Sequence, residues 1–139
     1  MTATLNPYLH FDGNAEEALH FYKKVFGGEE TVSRYGDDAA AMEHTPAEFK
    51  DNVMHADLQA DDIRLMLSDS GPMGTPTIGS NISLSLSGDD EEKLTDYFSK
   101  LSENGKIDVP LSKASWGDSF GMLHDKYGVG WFVNITANK

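Results

Sequence analysis

The same arrangement of residues occurs twice in this chain. In the first half Asn14 stands three residues ahead of Glu17, and Ala15, Ala18, Leu19, Tyr22, Val25 and Phe26 follow at the spacing of an amphipathic helix. In the second half Asp89 stands three ahead of Glu92, and Leu94, Tyr97, Phe98 and Leu101 repeat the stripe. Glu16-Glu17, Leu19 and Tyr22 meet Glu91-Glu92, Leu94 and Tyr97 at one constant offset of about 75 residues, longer than the period of a solenoid. Two copies of one supersecondary unit fit such a repeat better than a stacked array.

The residues around each helix supply the rest of that unit. Leu5 to Phe11 alternates as a strand whose early Pro7 suits a strand start, and Gly27-Gly28 closes the first helix. A strand is expected over Thr31 to Tyr35, then a loop from Gly36 to Asp51 with one short helix capped by Thr45 and begun by Pro46. Val53 to Ala60 and Ile63 to Ser68 read as a hairpin turning at Asp61-Asp62, and the Gly- and Pro-rich stretch Asp69 to Ser80 is a connector. Beyond it the order recurs: a strand over Asn81 to Ser87, the helix, a stop at Asn104-Gly105, and strands over Lys106 to Leu111, Ser119 to Asp125 and Trp131 to Thr136. The expected fold class is α+β, one domain spanning 1–139 and built from two βαβββ modules of about 1–70 and 79–139.

Composition narrows the function classes. A length of 139 residues suits one core-forming domain. A net charge of −12 repels phosphate backbones, so no nucleic-acid partner is expected. No apolar run reaches the roughly 20 residues of a membrane span. With Lys23 as the first basic residue the start lacks a signal peptide's charge, so a cytoplasmic location is expected. The absence of cysteine removes thiol nucleophiles, disulfides and thiolate metal sites. No phosphate-cradling Gly-x-x-x-x-Gly-Lys, no Gly-x-Ser-x-Gly elbow around Ser83, Ser85 and Ser87, and no glycine-rich strand-to-helix turn of the nucleotide-cofactor kind occurs.

Five segments carry a family resemblance: Tyr8-Leu9-His10-Phe11-Asp12-Gly13-Asn14-Ala15, Met54-His55-Ala56, Leu65-Met66-Leu67-Ser68-Asp69, Trp116-Gly117-Asp118-Ser119-Phe120-Gly121 and Asp125-Lys126-Tyr127-Gly128-Val129-Gly130-Trp131. In this order and spacing they resemble the PhnB-like branch of the vicinal oxygen chelate superfamily, the glyoxalase, bleomycin-resistance and extradiol-dioxygenase relatives, over nearly the whole chain. The resemblance implies mixed sheets curled around a shared cleft, commonly in a homodimer. It also implies a divalent metal held by His, Glu or Gln from strands of both modules, acting as a Lewis acid.

At the positions the resemblance marks for ligands stand His10 on the first strand, Asn134 on the last, Met66 or Ser68, and Asn81 or Ser83. One strong donor among four positions departs from the facial triad such a metal needs. His55 and His124 are the remaining metal candidates, each read alternatively as a hydrogen-bonded strand histidine. Asp69 and Asp125 close strands before turns, where an Asx-type bond to backbone N–H groups competes with a role as base at a cleft rim. Trp116, Phe120, Trp131 and Phe132 are expected to offer aromatic surface, part core and part ligand-facing, with Trp116 at the mouth of a pocket. The first expectation is therefore a protein that binds a small organic molecule, with no catalysis required. A metal-dependent lyase, isomerase or oxygenase using His10, His55 or His124 is the second, and a non-catalytic interaction domain the third.

Overall fold

In a computed structural model of the chain, residues 2–61 and 63–137 are described. Asp62, half of the expected hairpin turn, lies outside them; its neighbour Asp61 adopts a left-handed φ of 48°. The chain divides into two compact units, 1–77 and 78–139.

Unit 1 runs β1 (Tyr8–Phe11), α1 (Ala15–Phe26), β2 (Glu29–Arg34), the single turn α2 (Ala39–Met42), β3 (Val53–Ala60) and β4 (Ile63–Asp69). Its sheet has the order β1-β4-β3-β2, with β1 parallel to β4 and the other pairs antiparallel. Unit 2 runs β5 (Ser83–Gly88), α3 (Glu91–Leu101), β6 (Lys106–Lys113), β7 (Ser119–His124) and β8 (Gly130–Ile135), ordered β5-β8-β7-β6 with β5 parallel to β8. The duplicated strand, helix and three strands read from the repeat are thus present twice with one topology.

Each unit covers one sheet face with its helix. The stripe Ala15, Ala18, Leu19, Tyr22, Val25 and Phe26 is buried, with Phe21, and α1 packs on β3 and β4, whose Ala56, Leu58, Leu65 and Leu67 are buried. Leu94, Tyr97, Phe98 and Leu101 of α3 are buried likewise over β5, β7 and β8. Because strand side chains alternate between faces, the residues between these core positions form an open face on each sheet. Two glycines mark close approaches. A Cβ at Gly121 would lie 2.7 Å from the Phe98 ring, and one at Gly28, where φ is +89°, would lie 2.1 Å from the Gln59 carbonyl oxygen.

Several local expectations shift. β2 begins two residues early because Glu29 and Glu30 pair with Gln59 and Leu58, and Tyr35 leaves the strand into a 3-10 turn over Tyr35–Asp37. Asp38 caps α2 by accepting from the Ala40 and Ala41 amides. The expected short helix is a 3-10 turn over Ala47–Phe49 with Pro46, not Thr45, at its cap; the Thr45 hydroxyl donates back to the Ala41 carbonyl. α3 is capped by Asp90, not Asp89. β6 extends to Lys113 and slips register between Ile107 and Val109 and again before Ser112, around Pro110, which an edge strand tolerates because its missing donor breaks no inner ladder.

Candidate functional site

On the open face of unit 1 the parallel pairing of β1 with β4 sets Tyr8 beside Met66 and His10 beside Ser68. His10 Nδ1 and the Ser68 hydroxyl are 2.9 Å apart, and the Tyr8 ring stacks on His10 at 4.7 Å between centroids. The Tyr8 hydroxyl reaches over β4 to His55 Nδ1 on β3, 3.0 Å away. His10 and His55, chosen separately from sequence, are therefore joined through Tyr8, which the sequence reading did not single out. Its signal was its place two residues before His10 on one strand face. Nearby, the Tyr35 hydroxyl donates to the Asp69 carbonyl at 3.0 Å, and burial, reinforced by Asp69 and Tyr8, pushes the Tyr35 phenol above its ordinary range.

Asp69 is placed elsewhere. It is 2% exposed, and its carboxylate accepts from three backbone amides: Gly13 and Ala15 through one oxygen, both at 2.9 Å, and Val53 through the other at 2.8 Å. These bonds tie the end of β4 to the start of α1 and the start of β3. They correct the local Asx-type reading and the expected Asn14 cap, since the Asn14 side chain makes no cap bond. Asp125 does show the Asx pattern, accepting from the Tyr127 and Val129 amides, while its other oxygen takes the indole N–H of Trp131 at 2.9 Å. Trp131 is 2% exposed and shares its strand face with the buried Val133 and Ile135, so this ligand-facing candidate is a core residue.

The open face of unit 2 carries a row of rings. Trp116 stacks on Phe120 at 5.2 Å and Phe120 on Phe132 at 5.7 Å, with interplanar angles of 25° and 24°. Trp116, at the outer end, is 63% exposed. Asn134, paired with Phe120 across β7 and β8, donates its side-chain N–H to Asp118 at 3.2 Å, and Ser83, Ser85 and Ser87 line the edge strand β5. His124, at the end of β7, holds Asp108 of β6 at 2.6 Å through Nδ1. Asp108 is a second residue the sequence reading missed, and its place beside Pro110 in an irregular edge strand was the available signal.

The implied metal does not fit these residues. His10 and His55 turn Nδ1 to a serine and a tyrosine hydroxyl, and His124 turns Nδ1 to Asp108. Among the described residues no group of three or more His, Asp or Glu side chains is gathered in a way that could hold an ion. No helix among them is long and apolar enough to cross a membrane.

Comparison with known proteins gives a consistent picture. A family model described as 3-demethylubiquinone-9 3-methyltransferase matches residues 3–134. Protein YjdN of Escherichia coli (strain K12) is 30% identical over 97% of this chain and 97% of its own. The crystal structure of PA1353 from Pseudomonas aeruginosa shares 34% identity at a TM-score of 0.85, covering 99% of this chain and 100% of that one. A PhnB protein from Bacillus cereus shares 29% identity at a TM-score of 0.72 over 96% of this chain and 100% of that one. A glyoxalase/bleomycin resistance protein/dioxygenase family enzyme from Burkholderia phytofirmans PsJN, 12% identical with a TM-score of 0.59 over 92% and 95% of the two chains, shares the fold alone.

Proposed function

This chain belongs to the 3-demethylubiquinone-9 3-methyltransferase-like (PhnB) family, with the fold of the vicinal oxygen chelate superfamily, and from that premise we propose that it binds a small organic molecule on the open face of unit 2. The observation that carries this reading is the stacked row Trp116, Phe120 and Phe132, whose outermost ring is 63% exposed and whose strand β8 brings Asn134 opposite Phe120 and pairs with the serines of β5. An exposed indole continuous with other rings and flanked by a few polar groups is the composition of a small-molecule site, where aromatic area supplies affinity and hydrogen bonds supply orientation.

The chain contains two tryptophans, and Trp131 is buried on the opposite sheet face, so a ligand on the row changes the fluorescence of Trp116. A thermal-shift screen of small aromatic and polar compounds, followed by fluorescence titration of hits, tests the reading. Hits whose quenching disappears in Trp116→Phe are expected. Hits that bind that variant and wild type equally would place the ligand elsewhere and sink the proposal.

Methyl transfer, named by the family description, finds no support in this architecture. Each sheet is mixed, with one parallel pair, and lacks the parallel switch point with a glycine-rich strand-to-helix turn that holds nucleotide cofactors. Metal-dependent chemistry is not proposed, because among the described residues no group of three or more His, Asp or Glu side chains is gathered to hold an ion. A homodimer is proposed on family grounds, and light scattering at twice the 15.3 kDa chain mass is the expected result.

A further inference from the structure

At the start of α3 the helix-covered face of unit 2 holds a recess of about 230 Å³. One register row runs beneath it: Gly88 of β5 pairs with Ile135 of β8, Ile135 with Ser119 of β7, and Ser119 with Lys113 of β6. The row belongs to the helix side, because Ile135 is buried in step with Trp131 and Val133, and a Cβ at Gly88 would lie 3.7 Å from the Leu94 side chain. The first buried side chain of α3 is Leu94, so the helix does not cover this end of the row completely. Backbone bonds fix the rim. The Thr136 amide donates to the Gly88 carbonyl at 2.7 Å, and the Asp118 carboxylate accepts from the Ala137 amide at 3.1 Å, which ties the end of β8 to the turn before β7.

The row separates charge. Asp89 and Glu91 line the recess at the Gly88 end, and Lys113 lines it at the other. Neighbouring strands lie about 4.8 Å apart, so three spacings put the Gly88 and Lys113 backbones about 14 Å from one another. Among the described residues Asp89, Glu91 and Lys113 form no ion pair, with each other or with any other side chain. The capping of α3 is done by Asp90, which accepts from the Lys93 amide and leaves the flanking carboxylates to the recess. Between the charged ends lie Ile135 and two hydroxyls, Thr136 toward the carboxylates and Ser119 beside Lys113.

We propose that this recess binds a short ω-amino acid, an ammonium and a carboxylate joined by a few methylenes. Asp89 and Glu91 hold the ammonium, with the Thr136 hydroxyl accepting; Lys113 holds the carboxylate, with the Ser119 hydroxyl donating; the methylenes lie over Ile135. A plain carboxylate faces the two acids without compensation, and a plain alkylammonium leaves Lys113 unmatched, so complementarity requires both charges in one molecule, set apart. The recess is smaller than the roughly 300–1,000 Å³ of a drug-sized site, in keeping with a ligand of this size. It lies on the sheet face opposite the ring row, so it is a second site and does not rest on the reading of the open face.

The probe is γ-aminobutyrate, compared at neutral pH with butyrate, n-butylamine and α-aminobutyrate, by titration followed in nitrogen-15 amide spectra. Saturable shifts are expected at the Gly117, Ser119 and Thr136 amides, while those of Phe132 and Asn134 on the open face stay in place. Each exposed ion pair is worth little, so γ-aminobutyrate is expected to bind only about threefold to fivefold tighter than either singly charged analogue, with the advantage shrinking as salt is added. α-Aminobutyrate, whose charges are adjacent, is expected to bind more weakly than its ω-isomer. Lys113→Gln is expected to abolish the advantage over n-butylamine, and Asp89→Asn with Glu91→Gln the advantage over butyrate. All three side chains are exposed, and the spectra themselves show whether each variant is folded. Absence of saturable shifts at the three amides overturns the inference, as does a γ-aminobutyrate affinity no better than that of its analogues, or one that keeps its full advantage in Lys113→Gln. None of these outcomes bears on the open face, which is tested separately through Trp116.

Discussion

Replacing Asp69 with asparagine changes one atom of a carboxylate that three parts of unit 1 share. The oxygen facing Gly13 and Ala15 can be kept as the amide carbonyl, which forces the new NH2 group toward the Val53 amide, now donor against donor. A charge-assisted bond of about 1.5–3 kcal/mol is lost, and a buried N–H without an acceptor costs about 1–3 kcal/mol more. Some of this is offset because an amide is cheaper to bury than a carboxylate, leaving an expected loss of roughly 2–5 kcal/mol from a typical total of about 5–15. Both tryptophans lie in unit 2, so their fluorescence is a poor reporter here. Urea unfolding followed by far-ultraviolet circular dichroism, with hydrogen exchange at the Gly13, Ala15 and Val53 amides, reads the loss directly. The control is Asn14→Ala. An ordinary cap costs about 1 kcal/mol to remove, but Asn14 makes no cap bond, so a change below about 0.5 kcal/mol is expected. If Asp69→Asn falls within that small range, or Asn14→Ala proves the costlier of the two, the assignment of α1's cap to Asp69 is wrong.

Gly28 and Gly27 both hold left-handed φ, but only a Cβ at Gly28 meets another atom, the Gln59 carbonyl oxygen. Gly27→Ala should cost about 1–2 kcal/mol from backbone strain, and Gly28→Ala at least about 2 kcal/mol more from the clash, compared by thermal melting; equal costs would refute the contact. The Glu16 carboxyl is lowered from its ordinary 4.5 by the hydrogen bond from Arg34, against an opposing effect of desolvation. Its contribution is present above the unfolded value and lost as pH falls through the lower folded one. The pair is largely solvated, so Glu16→Gln should flatten the acid limb of stability by less than about 1 kcal/mol; an unchanged acid limb counts against the bond. The Tyr35 phenol is raised above 10.0, so its contribution is complete below that pH and lost as pH rises through the folded value. Tyr35→Phe should cost about 0.5–1.5 kcal/mol at neutral pH and remove part of the alkaline decline measured by urea unfolding, and an alkaline limb identical to wild type would refute it.

The strands and helices were legible because burial imposes periodicity: period two in Val53–Ala60, and the three-and-four spacing of Leu19, Tyr22 and Phe26. What escaped were interactions whose partners are distant in sequence. Asn14 has the residue type and spacing of a cap, yet the acceptor used comes from Asp69, more than fifty positions away, and no local pattern announces it. Asp108 gains its partner through a strand irregularity, and irregularities are invisible to a period-two reading except through Pro110. Trp131 was decidable. It falls in step with Val133 and Ile135, whereas Phe132 falls in step with Asn134, so alternation alone separates the core ring from the open-face ring. His10 and His55 were found for the right residue type, but their linkage through Tyr8 depends on β4 lying between their strands, and strand order is not written in either segment.

The two units keep one set of residues and vary another, and the division follows the sheet faces. Under the repeat, Leu19 and Tyr22 correspond to Leu94 and Tyr97, all buried against a sheet, while Tyr8 and His10 correspond to Ser83 and Ser85 on the open faces. The helix-covered faces are held alike by packing, where one methylene more or less is felt. Packing does not hold the open faces, and there one unit carries an imidazole and phenol cluster and the other a row of rings. A ring row ending in a mostly exposed indole adds little to the core it adjoins, so it persists for something that contacts it. A small molecule and a second protein surface make opposite predictions for Trp116→Ala. If the row seats a ligand, light scattering returns the wild-type mass, whatever that mass is, and only ligand affinity falls. If the variant instead shifts to a smaller assembly with no change in the thermal-shift hits, the rings are a subunit contact and the small-molecule reading of this face is refuted.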